Sequence, residues 1–141
     1  MTMEFLRPIP FVHHVGMRLE SFGDGHARID LPTEAHHANS LGMVHGGVLT
    51  SLMDVAMAHA ARSHTPQAMV VTIELKTTFL QGAHVREGEV LQAHGQILHR
   101  TRSMVFTEGR ILNGQGELCA HATGTFRFVQ HSTPQHGDTP S

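Results

Sequence analysis

One stretch constrains the fold of this chain more than any other. Residues 46–62, GGVLTSLMDVAMAHAAR, contain no proline, are apolar on nearly every face, and carry Asp54 as the one charge before Arg62. That pattern predicts a buried helix. The glycine-rich approach NSLGMVHGG precedes it, and Pro66, which biases Thr65 away from helical backbone, follows it. Everything after the helix reads with period two. In residues 70–80, Ile73, Leu75, Thr77 and Phe79 fall on one face and Thr72, Glu74, Lys76 and Thr78 on the other, as in a half-buried strand.

Three more extended segments follow, at 89–99, 103–112 and 117–129. Asn113-Gly114-Gln115-Gly116 joins the last two as a hairpin. Ahead of the helix, residues 17–22 and 26–31 flank Gly23-Asp24-Gly25 and read as a further hairpin. The sum is an α+β domain, one long helix wrapped by an antiparallel sheet of about five to six strands, because the later connections are too short for parallel crossovers. With 141 residues, a hydrophobic fraction of 40% and no internal repeat, residues 1–130 are expected to form one domain with its own core. The polar, proline-containing tail 131–141 is expected to be disordered.

Composition excludes several classes of function. A net charge of -2 and ten dispersed basic residues leave no patch that would track a phosphate backbone, so nucleic acid is not expected as a partner. Glu4, Arg7, Pro8 and Pro10 interrupt the opening residues where a signal peptide needs an apolar run, and no stretch is apolar enough to span a membrane. A single cysteine, Cys119, rules out an intrachain disulfide framework and fits a reducing compartment, which gives a cytoplasmic expectation. Fourteen histidines raise metal binding, yet the helix carries no i, i+4 pair, and the doublets His13-His14 and His36-His37 would face opposite sides if extended. No metal site is expected. No G-x-S-x-G is present to mark a serine hydrolase.

Asp54 is the anomaly. An acid between Met53 and Val55 in the most apolar helix must be protonated, face solvent, be satisfied by the hydroxyls of Thr50 or Ser51, or serve a site. At the other end of the helix, His45-Gly46-Gly47 places the amides of Gly46 and Gly47 among the unpaired N–H groups of a positive dipole end, where they can hold an oxyanion. Residues 45 and 54 are separated along one helix by about 13 Å, too far to act on one carbonyl carbon. Two helices packed antiparallel about a two-fold axis would bring the Gly46 end of one to Asp54 of the other. A homodimer with two shared sites is the expectation.

The pattern from Asn39 through His45-Gly46-Gly47 to Asp54, N-x5-H-G-G-x6-D, resembles that of the hotdog-fold acyl-CoA thioesterases, closest to the PaaI-type branch of phenylacetic acid degradation. The similarity spans roughly residues 10–129 and includes the "TFL" that ends the strand at Leu80 and the Ala-x-Gly-Thr-Phe of residues 122–126. A related branch places Glu where this chain has Asp54. Where the family usually has proline after "FL", Gln81-Gly82 stand here, which touches only the turn. The resemblance implies hydrolysis of an aryl or medium-chain acyl-CoA to free acid and coenzyme A, without a further cofactor, by a homodimer that pairs into tetramers. It makes Asp54 the general base or nucleophile, Gly46 the oxyanion donor, Asn39 and His45 supports from the other subunit, and Thr72 a hydroxyl that holds the water or carboxylate. Arg100, Arg102 and Ser103 would lie near the nucleotide, with solvated turn charges as the alternative. Gly47, Leu49, Met53, Met57 and Phe79 would line the acyl pocket. A non-catalytic acyl-CoA-binding module is the alternative function, since fold does not fix function.

Overall fold

The helix expected at 46–62 runs over Gly46–Ala61, with Arg62 as its C-cap, in a computed structural model that describes residues 3–129. The tail expectation at 131–141 lies outside the described residues. We number the elements α1 (Pro10–Val15), β1 (Arg18–Gly23), β2 (His26–Pro32), α2 (Gly46–Ala61), β3 (Met69–Phe79), β4 (Val90–Arg100), β5 (Met104–Leu112) and β6 (Leu118–Val129). The strands form one six-stranded antiparallel sheet in the order β1-β2-β4-β5-β6-β3. Among the described residues no helix is long and apolar enough to cross a membrane.

Both predicted hairpins are present. Asp24 and Gly25 carry positive φ between β1 and β2, the backbone that a two-residue hairpin loop needs to follow the strand twist. At the β5–β6 turn the Asn113 side chain accepts from the amides of Gln115 and Glu117. Two local elements escape the period-based reading, because each is shorter than the window that reveals a period. One is α1, which starts at Pro10 and stops at Gly16 in the left-handed region; the other is a 3-10 turn at Ala35–His37.

The sheet curls around α2, which packs chiefly on β4, β2 and β5. Close approach is possible because Gly95 and Gly109 are paired across β4 and β5. A Cβ on Gly95 would lie 2.5 Å from the carbonyl oxygen of Ala56, and one on Gly109 would strike Met53 and Met57. The core is therefore a helix face of Leu49, Leu52, Met53, Ala56 and Met57 against Ile29, Leu31, Leu91, Val105, Ile111 and Phe126.

Strand β3 departs from the expectation of a half-buried strand with a single period. It is an edge strand paired only with β6, and Val71, Ile73 and Phe79 are each about half exposed, at 47%, 54% and 51%. Its register with β6 slips between Thr72 and Glu74, leaving Ile73 as the extra residue of a β-bulge. The bulge reverses the alternation. Thr72 pairs with Phe126, and Leu75, Thr77 and Phe79 pair with Gly124, Ala122 and Ala120, all on the β6 face that packs on the helix. Thr72 thus shares the inner face with Phe79, whereas Ile73, expected there, does not.

Candidate active site

Asp54 lies on the more open side of α2, beside the edge strand β3, and it is half-buried. Its Oδ1 accepts a hydrogen bond of 2.7 Å from Thr72 Oγ1, a contact that exists because the bulge turns Thr72 toward the helix. Ser51 is not its partner: that hydroxyl donates to the Gly47 carbonyl at 2.7 Å, one turn back along the helix. Burial raises the Asp54 pKa above the ordinary carboxylate value, and the Thr72 hydrogen bond opposes that rise without cancelling it.

The helix N-terminus is built by the preceding loop. Asn39 Oδ1 accepts from the backbone amides of Leu41 and Met43, and the Asn39 backbone N–H donates to the Met43 carbonyl at 2.7 Å, so side chain and backbone of this residue together brace the loop. His45 is the N-cap. Its amide donates to the His37 carbonyl, while its Nδ1 accepts from Gly47 N–H at 2.8 Å. That bond corrects the expectation of a two-amide oxyanion site, since Gly47 N–H is already taken. Gly46 N–H has no acceptor among the described residues, and the Phe79 ring covers Gly46 so closely that a Cβ there would sit 3.4 Å from it.

The two halves of the predicted site open into different cavities. One, of about 310 Å³, holds Asp54 and Thr72 between Val55, Ala58, Val70 and the N-terminal segment. The other, of about 430 Å³, holds Gly46 together with Asn39, Leu49, Phe79 and Leu80. A third and larger cavity, about 670 Å³, lies along the N-terminal segment and β1 and contains neither Asp54 nor Gly46.

Other candidates are placed differently from expectation. Met53 and Met57 are fully buried under the sheet glycines and line neither cavity, because their helix face is the one that meets β5 and β6. Arg100 stands over the Phe128 ring at 5.7 Å, and Arg102 and Ser103 are exposed in the β4–β5 turn. None of these three lines the Asp54 or the Gly46 cavity. The walls that sequence reasoning missed are Leu6, Ile9 and Val12, which the folded N-terminal segment brings over α2, and Val55 and Ala58. Only the last two had a signal, as the positions after Asp54 on its own helix face.

Glu34, His36 and His37 cluster closely enough to share an ion. The His doublet does not splay, because the 3-10 turn brings its rings to 4.2 Å. His37, however, accepts from Glu34 N–H at Nδ1 and contacts the Val15 carbonyl through Nε2 at 2.7 Å. Nδ1 acting as acceptor makes Nε2 the donor, so neither ring nitrogen has a lone pair to spare. The Cys119 thiol is buried and pushed up by that burial, the opposite of a reactive thiolate.

This geometry has relatives. The family model described as Thioesterase superfamily matches residues 41–120, which include the helix and Asp54. The conserved Pseudomonas aeruginosa protein PA5202 superposes with a TM-score of 0.80 at 33% identity, over 86% of this chain and 95% of that one. The Escherichia coli PaaI protein of the phenylacetic acid degradation operon gives 0.78 at 25% identity, over 85% and 84%. Human acyl-coenzyme A thioesterase 13 is 27% identical over 108 residues, 76% of each chain. A helix carrying one half-buried acid, wrapped by a six-stranded antiparallel sheet and matched over more than half its length, places this chain in the hotdog thioesterase superfamily of thioester hydrolases.

Proposed function

We propose that the protein is an acyl-CoA thioesterase whose site is shared between two copies of the chain. Asp54 of one subunit acts on water as general base, or on the carbonyl as nucleophile, and Gly46 N–H of the partner subunit receives the developing oxyanion. The observation that carries this reading is the separation of an available carboxylate from an available amide. They sit in distinct cavities eight residues, about 12 Å, apart on one helix, and one carbonyl carbon cannot reach both. A thiolate leaving group needs no strong general acid, so a carboxylate and one amide are a sufficient inventory.

Dimer formation is supported by what the single chain leaves open. Strand β3 offers an unpaired backbone edge with Met69, Val71 and Ile73 exposed, a liability that natural proteins cover. The outer side of α2 stays partly open at Gly47, Ser51 and Asp54 even where the N-terminal segment borders it. Asn39 and His45 serve here as loop supports, holding Gly46 N–H in place. The resemblance to human acyl-coenzyme A thioesterase 13 supports coenzyme A as the thiol.

Mixed subunits test this reading. Asp54→Asn removes the carboxylate, and Gly46→Pro removes the amide at a helix position where proline is tolerated. Each variant alone should release coenzyme A slower by a factor on the order of 10² or more, and verified hybrid dimers should regain part of the wild-type rate. Hybrids that stay inactive while keeping the fold would count against a shared site.

A further inference from the structure

The Asp54 cavity contains a second chemical feature that thioester hydrolysis does not use. It follows α2 from Asp54 past Val55 and Ala58 to Arg62, two helical turns or about 12 Å. The walls between are apolar, with Leu6, Val12 and Val70 among them. At the Arg62 end stands a second guanidinium, that of Arg7. Both side chains donate to carbonyls of one turn, Arg62 to Pro66 at 3.2 Å and Arg7 to Gln67 at 3.3 Å, which sets the two cations side by side.

Neither arginine has an ion-pair partner among the described residues, and Arg62 Nε is buried without any hydrogen-bond acceptor. Asp54, two turns away, is the one carboxylate in the cavity wall. His59 lines the same cavity between the rings of Phe5 and Phe22, and burial lowers its pKa and so disfavours a third positive charge there. Each guanidinium has a carbonyl acceptor and Arg62 also stands over the Phe22 ring at 6.0 Å, but Arg62 Nε has no acceptor and neither cation has an anion beside it among the described residues.

We propose that the preferred acyl group ends in a carboxylate: the substrate is the coenzyme A monothioester of a dicarboxylic acid, with its thioester at Asp54, its methylenes along Val55 and Ala58, and its distal carboxylate on Arg62 and Arg7. A planar guanidinium matches a carboxylate in charge and fork geometry. The phosphates of coenzyme A match less well, because the pantetheine arm is longer than this channel and the walls are apolar. The proposal rests on the thioesterase reading above.

The test compares adipoyl-CoA with hexanoyl-CoA, and suberoyl-CoA with octanoyl-CoA, by coenzyme A release. The carboxylated member of each pair should show a kcat/KM higher by about ten-fold, the scale of one hydrogen-bonded charge. Arg62→Met should remove most of that ratio, Arg62→Lys should restore part of it, and the exposed Arg7→Gln should lower it independently if Arg62→Met fails to fold. A wild-type ratio at or below one, or equal losses on both substrates, would overturn the proposal. If no thioester turns over, the thioesterase reading fails first, and calorimetric titration of the same pairs into Asp54→Asn decides the arginine site. Tighter binding of the carboxylated member upholds that site, and equal binding removes it.

Discussion

The two sides of helix α2 differ more than any other pair of surfaces in the molecule. On the sheet side Leu49, Leu52, Met53, Ala56, Met57 and Ala60 are sealed, none more than 3% exposed. On the other side Gly47, Ser51, Asp54, Val55 and Ala58 stay partly open. Both sides are made of small or apolar residues, so composition does not distinguish them. The first is covered by the chain's own sheet and carries the fold; the second is bounded in part by the N-terminal segment, and on our reading it is finished by a second copy and carries the chemistry. An acid is tolerable on the second side because water and Thr72 reach it there.

That contrast can be broken from either side. Met53→Ala should cost about 2–5 kcal/mol through the cavity it leaves beneath β5, read as a fall in melting temperature, with kcat/KM per folded molecule little changed. A large change in kcat/KM at intact stability would move Met53 back into the acyl site. Asp54→Asn should do the reverse, lowering turnover by a factor on the order of 10² or more while the fold persists. Its effect on stability has a definite sign. Because burial raises the Asp54 pKa, the folded chain holds that proton more tightly than the unfolded one. Stability therefore falls as pH rises from the ordinary carboxylate value through the raised one, and at pH 7 the amide variant should melt no lower than wild type.

Smaller effects sharpen the boundary between the two sides. Gly95→Ala presses a methyl group on the Ala56 backbone, which cannot swing aside as a side chain can, and should destabilise by about 1–3 kcal/mol. Thr72→Val removes the hydrogen bond that lowers the Asp54 pKa, so the acid limb of the kcat/KM profile should move to higher pH. The loss in rate should be only several-fold, in keeping with about 1 kcal/mol for a hydrogen bond open to solvent. An acid limb that stays in place would mean that Asp54 is not the titrating group.

Much of this was legible in the residue order. The helix was, because a long apolar run with one acid has few other homes, and the extended segments were, because alternation holds over most of each one even where a register shift interrupts it. Asp54 was legible as a violation of its surroundings, and Gly46 as a small residue at a helix start. Less visible was β3, where one inserted residue at Ile73 exchanges the faces and brings Thr72 to Asp54. A bulge has no signature in local alternation; it is set by what the partner strand β6 must bury. Also not legible was that Met53 and Met57, expected along the acyl pocket, lie on the helix face that meets the sheet, since helical spacing says which residues share a face but not what that face meets.

Residue order by itself determined the periods, the helix with its acid, the hairpins and the presence of a glycine-rich helix start eight residues before a carboxylate. Those are local properties, set by backbone geometry and side-chain chemistry within a few residues. Only the tertiary structure decided that Gly47 N–H is spent on His45 while Gly46 N–H stays available, that Gly95 and Gly109 let the helix lie against the sheet, and that Arg7 meets Arg62 at the end of the Asp54 channel. Each of these joins atoms whose meeting depends on how elements pack and where a loop turns. Side-chain periodicity carries no information about that distance.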